Sequence, residues 1–167
     1  MKRTLGDSSL PVVECINPKY NKYRVRYDYQ PYVDDLGEIH CVSFLEKEFS
    51  YKPTLQEVKN TILDWENEII DEKILSGFIW KDMPIWLSTE NQFNYKAAFD
   101  LASTFGGNLP LVFKFGTPED PIYYKFTEFE DLKDFYISAM SYINNTLAEG
   151  WMKKDSIDLT EYALCLE

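Results

Sequence analysis

The chain has 167 residues, 45% of them hydrophobic and 16% aromatic, which excludes a disordered polypeptide. It is long enough to bury roughly two-thirds of its unfolded surface in one domain or two small ones. The net charge of −11 is unevenly spread, with eight basic and eight acidic side chains up to residue 53 and nine against twenty after it. An acidic surface without a Lys/Arg cluster repels phosphates, so no nucleic-acid partner is expected. The charge has a plainer role in keeping an aromatic-rich protein in solution.

No apolar run approaches the roughly 20 residues that a membrane span needs. The start, Met1 to Leu10, has two early positive charges but no apolar core behind them, unlike a secretory signal. Neither membrane insertion nor export is therefore expected. Cys15, Cys41 and Cys165 are far apart and odd in number, which suits reduced, buried thiols better than a disulfide framework.

In chain order, residues 1–10 are expected to form a flexible arm and Val12 to Ile16 a short strand closed by Asn17-Pro18. Tyr23 to Tyr29 alternates strictly. Tyr23, Val25, Tyr27 and Tyr29 fall on one face and Arg24, Arg26 and Asp28 on the other, the pattern of a half-buried strand. Asp34-Asp35-Leu36-Gly37 has turn chemistry and leads into a second strand, Ile39 to Phe49. Residues 11–52 thus read as an N-terminal β-hairpin or three-stranded meander.

Three helices follow, each opened by the same device. Thr54-x-x-Glu57, Thr89-x-x-Gln92 and Thr127-x-x-Glu130 fit a reciprocal capping box, in which the Thr hydroxyl accepts from the third N–H and the longer side chain reaches back. In the first helix Leu55, Val58, Ile62, Trp65 and Ile69 form the apolar stripe, with Glu57, Asp64, Glu66, Glu68, Asp71 and Glu72 outside it. The second, from about Glu90 to Phe105, turns Tyr95, Ala98, Phe99, Ala102 and Phe105 inward and ends at Gly106-Gly107. The third, from about Glu128 to Ala148, turns Leu132, Tyr136, Ala139, Met140, Ile143 and Leu147 inward and is stopped by Gly150.

Two hairpins lie between the helices: Phe78 to Trp80 with Pro84 to Leu87, and Leu111 to Phe115 with Ile122 to Phe126. The tail from Trp151 is expected to add a short turn of helix or to dock its last apolar residues on a neighbour. The expected fold class is α+β, with antiparallel β-hairpins alternating with three amphipathic helices.

Candidate chemistry is sparse. His40 is the only histidine, and its neighbour Cys41 points to the opposite face of a strand, so no nucleophile-base pair is expected. No Cys/His spacing suggests a metal site, and the Asp64 to Glu68 acids lack the order of a calcium loop. Gly106-Gly107 closes a helix rather than opening one, which is not a phosphate cradle. The catalytic, cofactor and metal sets are therefore empty. Trp80, Trp86, Tyr123 and Tyr124 offer a sugar-binding shelf, but filling the core is the favoured role for alternating aromatics in hairpins. Tyr27, Tyr29 and Tyr32, near the first hairpin's tip, and Trp80 are the candidate interaction residues.

Residues 80–162 resemble a domain family found near the C-terminus of tail-fibre and tail-associated proteins of tailed phages and prophages. The similarity is carried by Trp86-Leu-Ser-Thr-Glu-Asn-Gln-Phe-Asn-Tyr-Lys-Ala-Ala-Phe-Asp-Leu101, Leu109-Pro-Leu-Val-Phe-Lys-Phe115, Thr127-Glu-Phe-Glu-Asp-Leu132 and Ala148-Glu-Gly-Trp151. The lead-in segments Lys52 to Glu57 and Ile74 to Trp80 resemble versions in phages of gut Bacteroidales, crAss-like phages included. The resemblance implies a tail-fibre-associated-like α+β domain over 53–167 with no catalytic residues. It implies a structural protein of the virion, assembled in the host cytoplasm, with other virion proteins and a homo-oligomer as its contacts. An assembly chaperone that leaves the particle, or a carbohydrate-binding receptor module, is the alternative, with a glycan the less favoured partner.

Overall fold

The computed structural model describes residues 3–34, 37–105 and 109–167, without the side chains of His40 and Phe105. Contacts divide the chain into two units, Met1–Glu68 with Lys154–Glu167, and Ile69–Lys153. This division differs from the expected boundary at 52/53, because residues beyond it complete the first unit's core. The architecture is α+β, with three antiparallel sheets and four helices among the described residues.

In the first unit, the Tyr23 to Tyr29 alternation is part of β3 (Lys22–Val33), which pairs with β2 (Val13–Asn17) and β4 (Ile39–Phe49). The fourth strand corrects the expected flexible arm. Thr4–Gly6 forms β1 and pairs with β4 in the sheet order β1-β4-β3-β2. Arg3 secures it, donating to Ser43 Oγ and to the carboxylate and carbonyl of Asp28. Asp28 has φ 56, and the β3-β4 register shifts between Tyr27 and Gln30, so the regular alternation ends in a bulge there. At the other end of β3, Gly37 takes φ 83 and donates to the Asp34 carbonyl; Asp35 and Leu36 of the expected turn lie outside the described residues.

One face of this sheet carries Val13, Val25 and Phe49, which pack with Val58 and Ile62 of α1 (Leu55–Ser76) and with Tyr162 of α4 (Thr160–Leu166). The expected capping box opens α1: Thr54 N donates to Glu57 Oε2 at 2.8 Å and Glu57 N to Thr54 Oγ1 at 3.2 Å. Glu66, expected on the helix's outer face, is buried and accepts from the Tyr27 hydroxyl at 2.6 Å. The sheet's opposite face is charged. Arg26 sits on it yet is only 2% exposed, because the segment before β2 crosses above it and its guanidinium donates to the Pro11 carbonyl, Glu14 and Glu46.

In the second unit, β5 (Phe78–Trp80) pairs with β6 (Met83–Ile85) and β7 (Leu111–Gly116) with β8 (Pro121–Phe126). Their inward side chains meet α2 (Thr89–Phe105) and α3 (Phe129–Asp155) in an aromatic core. Phe135 is at its centre, with ring centroids of Tyr95, Trp80 and Phe115 at 4.9, 5.1 and 5.1 Å. Phe135 was absent from the expected inward set of the third helix.

The caps of α2 and α3 differ from expectation. Asn91 N donates to Ser88 Oγ at 3.2 Å, so the cap of α2 is Ser88 rather than Thr89, and α3 begins at Phe129. Gly106-Gly107, the expected stop for α2, lies outside the described residues. Gly150 does not end α3, which continues through it to Asp155. Its hydrogen faces Ile70 of α1, and a Cβ there would overlap Ile70 Cδ1 and Cγ1, so glycine permits the two helices to touch. Among the described residues no helix is long and apolar enough to cross a membrane.

Candidate functional site

Lys81 and Asp82 form the two-residue turn between β5 and β6 with φ 48 and 62, a left-handed pair usually filled by Asn-Gly. Side-chain contacts offset this cost. The Lys81 ammonium lies 4.4 Å from the Trp80 ring centroid, bonds Tyr124 Oη at 3.0 Å and pairs with Asp131. Tyr124 in turn donates to Asp131 at 2.6 Å. Burial would raise the Asp131 carboxyl, but the hydrogen bonds from Lys81 and Tyr124 and the Lys81 charge together hold it below the ordinary carboxylate range. This cluster is a closed, mutually satisfied network rather than an open reactive site.

Trp80 belongs to the core beneath it. It is 5% exposed and its indole N–H donates to Asp134 Oδ2 at 2.9 Å, so burial removes it from the interaction candidates. Tyr27 is likewise spent internally, stacked on Trp65 at 6.3 Å and bonded to Glu66. Burial is the main reason its phenol ionises far above the ordinary range, followed by the hydrogen bond and charge of Glu66. Tyr29 packs on Phe44 at 5.1 Å and donates to the Leu10 carbonyl at 3.1 Å. Only Tyr32 is an exposed member of the set. Tyr27 shares the inward face of Val25, as the alternation implies, whereas Tyr29 follows the bulge at Asp28, which the spacing alone did not reveal.

The four aromatics of the sugar shelf separate. Trp80 and Tyr124 pack in or against the core, whereas Trp86 and Tyr123 are 51% and 68% exposed. The expectation that all four fill the core holds for half of them. In β7 and β8 the pairs Val112-Lys125 and Lys114-Tyr123 face solvent, opposite the inward Phe113, Phe115, Tyr124 and Phe126. Trp86, one turn of the alternation beyond β6, shares a cleft of about 320 Å³ with Lys114, Gly116, Thr117 and Pro118. It is an open concave feature lined by an exposed aromatic side chain, and nothing in residues 80–126 beyond the alternation itself pointed to which aromatics would line it.

Cys15 and Cys165 are exposed and Cys41 partly so, which corrects the expectation of buried thiols; all three are free. The side chain of His40 lies outside the described residues. Among the described residues no group of three or more His, Cys, Asp or Glu side chains comes together to hold a metal ion. No family model matches the sequence, and comparison with curated proteins and with solved structures likewise yields no match.

Proposed function

We propose that the chain is a non-enzymatic phage structural protein, a fibre, tail or head-appendage component of the virion that binds other virion proteins and itself. The observation that carries this reading is where the phage-like segments fall. Trp86 to Leu101, Leu109 to Phe115, Thr127 to Leu132 and Ala148 to Trp151 all belong to the Ile69–Lys153 unit, and they supply Leu87, Tyr95, Phe115 and Leu132 to its core. The four main segments, with Ile74 to Trp80, thus fall within one packing unit, and only the lead-in Lys52 to Glu57 falls in the other. Exposed apolar side chains suit the same role: consecutive Trp151 and Met152 are 57% and 73% exposed, the kind of surface that protein contacts cover.

Mass spectrometry of particles purified from infected cells tests the proposal, with the chain expected at a fixed stoichiometry to other virion proteins. Its presence in the lysate but not in particles overturns the virion assignment in favour of an assembly chaperone. Light scattering over a concentration series reads self-association separately.

A further inference from the structure

We infer that the cleft beside Trp86 is a binding site for a carboxylated saccharide. Four observations converge on it. Trp86 presents an indole that is half exposed although its neighbours Ile85 and Leu87 are each 1% exposed, so an exposed ring follows a firmly buried strand end. Lys114 lines the same cleft and is the only charged side chain among the described residues that does. Directly across the hairpin from Lys114 stands Tyr123, a second exposed ring, with Lys125 on the same face one pleat away. The four strands of the two hairpins, β5 to β8, contain no Asp or Glu, and the acids next in sequence to the cleft lining are Glu119 and Asp120 of the β7-β8 loop.

The chemistry of a sugar acid fits these groups. A pyranose has a C–H face that packs on an indole, and a rim of hydroxyls that need polar partners. Lys114 brings three donors and makes no ion pair among the described residues, so a ligand carboxylate would be its first counter-charge. Thr117 Oγ1 already accepts from Asp120 N at 3.0 Å, which leaves its hydroxyl proton to donate outward. Gly116 takes φ 81, and the space a Cβ would need is filled by the Asp120 carbonyl and Ile122, so glycine there allows the turn that carries Thr117 and Pro118. A cleft of about 320 Å³ is at the small end of ligand sites, matched to one or two sugar rings rather than to a protein surface. The inference does not depend on the chain being part of a particle.

A glycan array that displays sialylated, uronic-acid-containing and neutral glycans provides the test, followed by titration of the strongest carboxylated hit with the Trp86 indole N–H monitored by NMR. Binding to carboxylated glycans is expected, with a loss of about tenfold or more in Trp86→Ala, the scale of a truncated aromatic anchor. Lys114→Gln is expected to weaken acidic glycans selectively and to flatten the salt dependence. Lys114→Gln removes no buried surface, so it keeps the test readable if Trp86→Ala does not fold. Equal binding of neutral and acidic glycans, binding indifferent to both variants, or no glycan signal overturns the inference. So does self-association abolished by Trp86→Ala, which would make this face a protein contact.

Discussion

Arg24 and Arg26 are two residues apart on the same strand face and are nearly indistinguishable as letters. Their energetic roles differ because only Arg26 is roofed over. Its guanidinium bonds Glu14 at 2.6 Å, Glu46 at 2.9 Å and the Pro11 carbonyl at 2.9 Å, whereas the Arg24 side chain remains 29% exposed beside Glu46 and Glu48. Removing a buried partner leaves the opposite charge stranded, so Arg26→Ala is expected to lower stability by about 3–5 kcal/mol. Arg24→Ala is expected to cost under about 1 kcal/mol, as for a surface pair. Urea midpoints of the two variants check this, and equal losses would contradict it. The strand and its two faces were legible in the Tyr23 to Tyr29 alternation. The burial of Arg26 was not, since it depends on where residues 10–12 travel, and no periodicity within β3 records that.

At the level of elements, helix existence was plain from capping residues and apolar spacing, but ends and faces were not. Ser88 precedes Thr89, and either is a good cap; the choice went to Ser88, whose Oγ accepts from Asn91 N while Asn91 Nδ2 donates to the Trp86 carbonyl at 2.8 Å. Ser88→Ala is therefore expected to cost about 1 kcal/mol and Thr89→Ala close to nothing, read by thermal unfolding. Gly150 misled for a physical reason. A glycine after a long apolar stripe normally ends a helix, but here it sits inside α3 because a side chain would strike Ile70. Gly150→Ala, favourable for an isolated helix, is expected to destabilise by about 1–3 kcal/mol through overpacking. A double-mutant cycle with Ile70→Ala should show coupling of the favourable sign, and strict additivity would place the cause elsewhere. The same logic explains the split aromatic shelf. Alternation in residues 78–87 and 111–126 fixed which side chains share a face, but not which face meets the helices.

For the molecule as a whole, buried phenols set an alkaline limit. Burial pushes Tyr95 up to about 12 from its ordinary 10.0, and burial is also the first cause of the upward shifts of Tyr27 and Tyr162. A raised phenol favours the folded state fully at pH values below the unfolded group's pKa. That contribution drains away as pH rises, from about 10 towards 12 for Tyr95. The urea midpoint is expected to be flat between pH 8 and 9.5 on this account and to fall above about pH 10, and Tyr95→Phe should shallow the fall. Phenolate absorbance that appears together with unfolding, not before it, is the accompanying signature.

The Tyr162 hydroxyl donates to the Arg26 carbonyl at 2.8 Å, across a sequence separation of 136. On a ribosome this bond joins a strand made before the Ile69–Lys153 unit to a segment made after the whole of it. The four-stranded sheet therefore emerges early but waits for its last packing partner, while the aromatic unit synthesised later has all its own core residues first. Closing so long a loop is slow and leaves Val25, Val58 and Ile62 without Tyr162 in the interval. A chain released without residues 154–167 is expected to keep the second unit's hydrogen-exchange protection and to lose much of the first's. The order in which the units are finished is thus the reverse of the order in which they begin.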